Sequence, residues 1–144
     1  MHRKLFIVGT GTDVGKTYVT ALVVKKLKES GRRAAYYKAA MSGNRRGEDG
    51  GLIPGDALYV QRVSGIRQPL SEMCPYVYEH GVSPHLASRL EGNPVRLEVV
   101  ERGFRDVCAH YDYVTMEGSG GILCPLNIDG EELWLEDIIA RLGL

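Results

Sequence analysis

The stretch Leu5-Phe6-Ile7-Val8-Gly9-Thr10-Gly11-Thr12-Asp13-Val14-Gly15-Lys16-Thr17 leaves this chain few ways to fold. An apolar burst, a glycine-bearing loop and a Gly-Lys-Thr opening an amphipathic run read, in that order, as strand, phosphate-binding loop and helix. Amides in a tight turn and at a helix N-terminus can surround polyphosphate oxygens, Lys16 adds a positive charge, and the Thr17 hydroxyl can ligate Mg²⁺. The common form of the motif has four residues between its first glycine and the Gly-Lys, whereas five separate Gly9 from Gly15 here and position 10 is threonine. Strand and helix still flank the loop on the correct sides. An incidental glycine turn would leave the Gly-Lys-Thr at the helix start unexplained.

With 144 residues, the chain reads as one nucleotide-binding domain over 1–144, large enough for a real core. The 18 acidic and 18 basic side chains cancel, so no field of one sign argues for nucleic acid or anionic lipid as a partner. The apolar run at the N-terminus is too short for a signal-peptide core, and no later run reaches membrane-spanning length. Cys74, Cys108 and Cys124 lack Cys-x-x-Cys spacing and read as free thiols in a reducing compartment, the cytoplasm.

Further along, Val19, Leu22, Val23 and Leu27 fall at helical spacing between Thr17 and Ser30, with Gly31 as a stop. Arg33 to Lys38 reads as a second strand, and a strand-helix-strand unit of this size closes with parallel strands. Gly9 to Lys16 and Lys38 to Gly43 should therefore emerge on one edge of the sheet. Residues 42–55 read as a long polar loop of the kind that serves as a mobile flap. Asp56 opens a short helix ending at Gly65, and Tyr76 to Tyr78 is a short extended piece. Ser83-Pro84-His85 looks like a capped helix start with Leu86, Ala87 and Leu90 on one face, and Leu97, Val100, Phe104 and Val107 or Cys108 mark a clearer helix. Tyr113 to Met116 reads as a third strand, Glu117 to Gly121 as the turn leaving its end, and Leu133 to Leu142 as a final helix. The fold class expected is α/β: a P-loop NTPase-like three-layer arrangement with a mostly parallel central sheet, incomplete at the C-terminus and with an unprotected sheet edge.

Three oxygen donors converge on the phosphates if that topology holds. Thr17 supplies a hydroxyl, and Asp56 and Glu117 supply carboxylates that suit Mg²⁺, a hard cation that keeps several waters. Asp56 can equally be a helix N-cap. Lys38 can neutralise phosphate or an anionic intermediate, or simply be an exposed lysine at a strand end. Ser42 can be a turn residue, and His85 an anion donor or part of a helix turn. Asp13, inside the phosphate loop, needs a cationic partner, which an amine on the substrate would provide.

The chain resembles the dethiobiotin synthetases. The matching text is Val8 to Thr17 with its five-residue gap, Tyr37-Lys38 with Ser42-Gly43, Gly55-Asp56-Ala57, Ser83-Pro84-His85, Met116-Glu117-Gly118-Ser119-Gly120-Gly121 and Cys124-Pro125-Leu126, in family order. The resemblance implies ATP-dependent closure of a cyclic urea from 7,8-diaminononanoate and CO₂, with Mg²⁺ as cofactor, in a cytoplasmic homodimer. It implies nucleotide contacts from Asp13, Val14, Gly15, Lys16, Thr17, Tyr18, Asp56, Glu117, Gly118, Ser119 and Gly120, and a metal held by Thr17, Asp56 and Glu117. It further implies catalysis by Lys16 and Lys38 and substrate contacts from Thr12 and Ser42. Two departures stand out: Ala39 replaces a frequent proline after the strand-end lysine, and the family's C-terminal third, with its remaining strands, adenine contacts and part of the dimer surface, is not present. The alternatives are a nucleotide-dependent switch ATPase, a related amidoligase, or an inactive fragment of the synthetase. Switch ATPases of this type often carry a second lysine early in the loop, where this chain has Gly11.

Overall fold

The computed structural model describes residues 3–144; Met1 and His2, the first residues of the expected domain, lie outside the described residues. In chain order the elements are β1 (Arg3–Gly9), α1 (Lys16–Glu29), β2 (Ala34–Lys38), β3 (Ala40–Met41), β4 (Arg45–Arg46), β5 (Leu52–Ile53), α2 (Gly55–Ser64) and α3 (Leu70–Met73). There follow β6 (Tyr76–Val77), α4 (Pro84–Leu90), α5 (Leu97–His110), β7 (Tyr113–Gly121), β8 (Pro125–Asn127), β9 (Leu133–Trp134) and α6 (Leu135–Leu142).

The core of the fold is a parallel three-stranded sheet in the order β1-β7-β2, so the last long strand is inserted between the first two. Register places Ile7, Glu117 and Lys38 level with one another near the strand C-termini, and Leu5, Thr115 and Tyr36 level two residues earlier. Because alternate strand residues face opposite ways, Tyr36, Lys38 and Glu117 share one face. Tyr36 joins the apolar cluster it forms with Ala21 and Val24 of α1 and Val60 of α2. The other face carries Tyr37, Val114 and Met116, which pack with Val100 and Phe104 of α5 and Leu135 and Ile138 of α6. Helices thus cover both faces of the sheet, the three-layer arrangement expected. Gly118 is part of this packing: a Cβ there would stand 3.0 Å from a Leu135 methyl and 3.1 Å from the Phe6 ring.

The two outer strands end the sheet differently. On β2, whose residues are all buried, the Gln68 side chain supplies what a neighbouring strand would. Its Oε1 accepts from the Tyr36 N–H at 2.8 Å and its Nε2 donates to the Tyr36 carbonyl at 3.0 Å. On β1 the edge is open, with Leu5 45% and Val8 43% exposed, and α1 beside it shows Val19 at 48% and Leu22 at 42%. This is the unprotected edge expected from sequence.

Several readings need correction. Of the residues at helical spacing in α1, Val19 and Leu22 are exposed, Val23 is half-buried and Leu27 packs against the inner cluster, while Thr20, Ala21 and Val24 are fully buried, because small residues let the helix approach the sheet closely. Leu90 of α4 is exposed as well. Residues 42–55 are no structureless flap: β4 and β5 form an antiparallel hairpin, and Asn44 ties its ends together. The Asn44 amide donates to the Met41 and Tyr78 carbonyls and accepts from the Gly55 N–H. The third strand runs on through Gly121, so Glu117 lies within β7 rather than in a turn after it. Leu133 and Trp134 belong to β9, and α6 begins at Leu135 with the Asp137 carboxylate accepting the Trp134 N–H at 2.8 Å.

Candidate functional site

The site lies at the C-terminal ends of the parallel strands, where open α/β sheets place their ligands. Between β1 and α1 the loop turns sharply enough that Asp13 takes φ 57° and Gly15, the residue before the helix, takes φ 98°. A residue with a Cβ is disfavoured at Gly15 by its backbone angle alone. The helix then opens on Lys16 and Thr17 with no acidic side chain in its first turn, so its positive dipole end is not neutralised by the chain itself. Lys16 donates to the Gly11 carbonyl, folding back over its own loop.

Four ionisable or hydroxyl groups meet around Glu117, which is 1% exposed. The Thr17 hydroxyl donates to Glu117 Oε1 at 2.7 Å, and Lys38 Nζ donates to the same oxygen at 3.2 Å. Lys38 also donates to Asp56 Oδ2 at 2.6 Å, so its ammonium bridges the two carboxylates. Tyr36 completes the set by donating its hydroxyl to Glu117 Oε2 at 2.9 Å. Burial works to lower the Lys38 pKa, but the charges of Glu117 and Asp56 outweigh it and hold the ammonium above its ordinary value. Burial first, then the neighbouring Glu117 and Asp56 charges, pushes the Tyr36 phenol well up, so it stays a donor. Asp56 sits in the first turn of α2, whose N-cap is Pro54, and its side chain makes no cap hydrogen bond there; the N-cap alternative fails because the carboxylate is held by Lys38.

Two cavities meet over this cluster. One, of about 310 Å³, is lined by Thr12, Asp13, Gly15, Lys16, Thr17, Tyr18, Lys38, Asp56, Glu117 and Gly120. The second, of about 480 Å³, shares Thr12, Asp13, Lys38, Asp56 and Gly120 with the first and adds Ser42, Ser83, Ser119 and Cys124 among others. Twelve of the fourteen site residues expected from sequence therefore border one cavity or the other. Val14 and Gly118 border neither: Val14 is exposed, and Gly118 lies against Phe6 and Leu135. Ser119 uses its hydroxyl on the Ala40 carbonyl at 2.7 Å, which ties β7 to β3 at the cavity wall. His85 is half-buried with no partner for its Nδ1 and borders neither cavity.

Two participants escaped the sequence reading. Tyr36 was readable in hindsight, since its i, i+2 spacing from Lys38 on a strand puts both side chains on one face. Gln68 lies in a coil segment with no motif, and only the tertiary structure reveals its clamp on β2.

Two carboxylates and a hydroxyl make an all-oxygen donor set of the kind Mg²⁺ prefers. In this structure the Lys38 ammonium occupies the space between the carboxylates. Among the described residues, no three His, Cys, Asp or Glu side chains gather as a group that could hold a metal ion.

The sequence profile of the AAA domain family AAA_26 matches residues 3–144. The chain belongs to this AAA-domain family. Among curated proteins it is similar to the ATP-dependent dethiobiotin synthetase BioD of Clostridium botulinum (strain 657 / Type Ba4), with 46% identity over all 144 residues and 63% of that relative's length. The protein of the same name from Clostridium perfringens (strain 13 / Type A) is 42% identical over the whole chain and 63% of the relative. Its counterpart from Clostridium botulinum (strain Langeland / NCTC 10281 / Type F) is 45% identical over 139 residues, 96% of this chain and 61% of the relative. This AAA-domain chain therefore spans about three fifths of the length of the curated relatives it matches. Among its described residues no helix is long and apolar enough to cross a membrane.

Proposed function

We propose that the protein takes part in ATP-dependent dethiobiotin synthesis, closing the cyclic urea of 7,8-diaminononanoate with CO₂ and releasing ADP and phosphate. The observation that carries this reading is Lys38, whose ammonium stands on the wall common to two joined cavities, within reach of both carboxylates and level with the phosphate loop. Similarity over the whole chain to proteins named dethiobiotin synthetase supports the choice of reaction.

In this reading the first cavity takes the triphosphate. Lys16 leaves the Gly11 carbonyl for the β- and γ-phosphates, and the amides of residues 13–18 at the loop and first turn of α1 receive their oxygens. Thr17, Asp56 and Glu117 hold Mg²⁺, which when bound neutralises charge on the transferring phosphoryl group. The second cavity takes the diamine, with Thr12 and Ser42 as polar contacts and the exposed Asp13 carboxylate as partner for an amine. One amine adds to CO₂ and loses a proton to give a carbamate, the carbamate oxygen attacks the γ-phosphorus with departure of ADP, and the second amine attacks the carbonyl carbon of the mixed anhydride, releasing phosphate and a proton as the ring closes. Lys38 lies between the two compartments and stabilises the negative charge of the γ-phosphoryl group as that group is transferred to the carbamate. The protein supplies position and charge rather than a covalent partner.

We further read the working form as a homodimer in the cytoplasm; the free thiols Cys74, Cys108 and Cys124 agree with a reducing compartment. The test is dethiobiotin formation from ATP, Mg²⁺, bicarbonate and 7,8-diaminononanoate, with this chain and with a longer form that includes the downstream coding sequence. Product is expected from the longer form, and its Lys16→Ala variant should lose kcat by roughly a hundredfold or more. Turnover that survives Lys16→Ala contradicts the phosphate assignment, and absence of product from the longer form contradicts the reaction.

A further inference from the structure

The Glu117 carboxylate has two oxygens with different company. Oε1 faces the cavity and meets both Thr17 and Lys38, while Oε2 points back into the protein and receives only the Tyr36 hydroxyl, at 2.9 Å. Tyr36 is itself fixed at both ends. Its ring lies in the cluster formed with Ala21, Val24 and Val60, and its backbone N–H and C=O are both taken by the Gln68 amide. A hydroxyl on such a rigid support leaves the carboxylate one orientation, with a single oxygen presented to the site.

We propose that Tyr36 is a positioning residue that turns Glu117 into a one-oxygen ligand. By holding Oε2 it keeps Oε1 aimed at Thr17 and Lys38, on the side from which a nucleotide-bound cation would be held. Gln68 contributes at one remove by fixing the strand that carries Tyr36. A carboxylate free to rotate would offer both oxygens to Lys38 and Thr17, and the site would favour the ammonium over a divalent ion. The inference rests on the reading of Thr17, Asp56 and Glu117 as the magnesium-holding set and adds a residue that touches neither metal nor substrate.

The experiment compares binding of the non-hydrolysable analogue adenylyl imidodiphosphate by calorimetry, with Mg²⁺ and in EDTA, for wild type and Tyr36→Phe in the longest form that folds. Tyr36→Phe keeps the ring in its cluster and removes only the hydrogen bond. The magnesium arm is expected to weaken roughly tenfold while the metal-free arm stays within about twofold, as befits one charge-assisted hydrogen bond acting through a ligand. A merely structural role lowers both arms together, and that result, or no change in either, overturns the proposal. Wild-type protein that binds the analogue no better with Mg²⁺ than without overturns the metal site itself, and this inference with it. An independent check needs no variant: the Cζ resonance of ¹³C-labelled Tyr36 should move when Mg²⁺ and nucleotide are added together and stay in place with nucleotide alone. A resonance that ignores the metal contradicts the role assigned to Tyr36.

Discussion

The two outer strands of the central sheet have similar local chemistry and opposite surroundings. β2 is buried along its whole length, its free edge closed by one glutamine, and its last residue is the lysine around which the site is arranged. β1 leaves Leu5 and Val8 exposed beside Val19 and Leu22 of α1, yet its C-terminal end launches the phosphate loop. The site therefore draws its precision from one side of the sheet. Lys38, Glu117 and Tyr36 stand on β2 and β7, which are held by buried hydrogen bonds, whereas Lys16 and Thr17 come from a helix whose outer surface faces solvent.

Substitutions on the two sides should differ in size accordingly. The largest effect is expected for Lys38→Met, which leaves the Glu117 charge buried without its cationic partner and should cost about 3–5 kcal/mol in urea unfolding. A loss under about 1 kcal/mol would mean that Glu117 is not held as a charged group. The pH dependence has a defined sign. Because Lys38 holds its proton more tightly folded than unfolded, its stabilising contribution is complete below its ordinary value of 10.5 and is lost as pH rises through the raised folded value. Lys38→Met should remove that alkaline decline.

Next in size is Gln68→Met, which keeps the side-chain length but strips both partners from the Tyr36 backbone. About 2–4 kcal/mol of destabilisation is expected, with faster amide exchange along β2. An effect no larger than for an average surface residue would mean that β2 needs no clamp. The smallest change is expected at the open side. Leu5→Lys combined with Val19→Glu should alter unfolding free energy by no more than about 0.5 kcal/mol per site and should reduce self-association in sedimentation. A large loss of stability there would show that the β1 side is as tightly built as the β2 side.

What the sequence disclosed follows the same division. The phosphate loop, α1 and the three parallel strands were legible because an apolar run, a glycine turn and a helical period are local signals. Helix α5 was legible for the same reason, with Val100, Phe104 and Val107 buried as its spacing demands. On α1 the helical spacing marked Leu27, which packs inward, but also Val19 and Leu22, which are exposed, and it passed over the buried Thr20 and Ala21, because alanine and threonine carry little hydrophobic signal although small residues are what close helix-to-sheet packing selects. Glu117 looked like a turn residue since glycines follow it, whereas the strand continues through them and the carboxylate is buried inside it. Lys38, Asp56 and Glu117 could be named as candidates, but their mutual contact depends on register between strands far apart in sequence. The hairpin across residues 45–53 was hidden in a polar, glycine-rich composition that a loop shares, and its anchor, Asn44, acts through tertiary hydrogen bonds.

The central claim is that one magnesium-bound triphosphate is gathered by the loop after β1, the start of α1, and the carboxylates of α2 and β7. A crystal structure with Mg²⁺ and adenylyl imidodiphosphate tests it most directly. The account predicts the γ-phosphate beside Lys16 and Lys38, the Thr17 hydroxyl on the metal at about 2.1 Å, and Asp56 and Glu117 on the metal or its waters. Phosphates bound elsewhere, or a metal that shuns Glu117 while Lys38 stays locked between the two carboxylates, would contradict it.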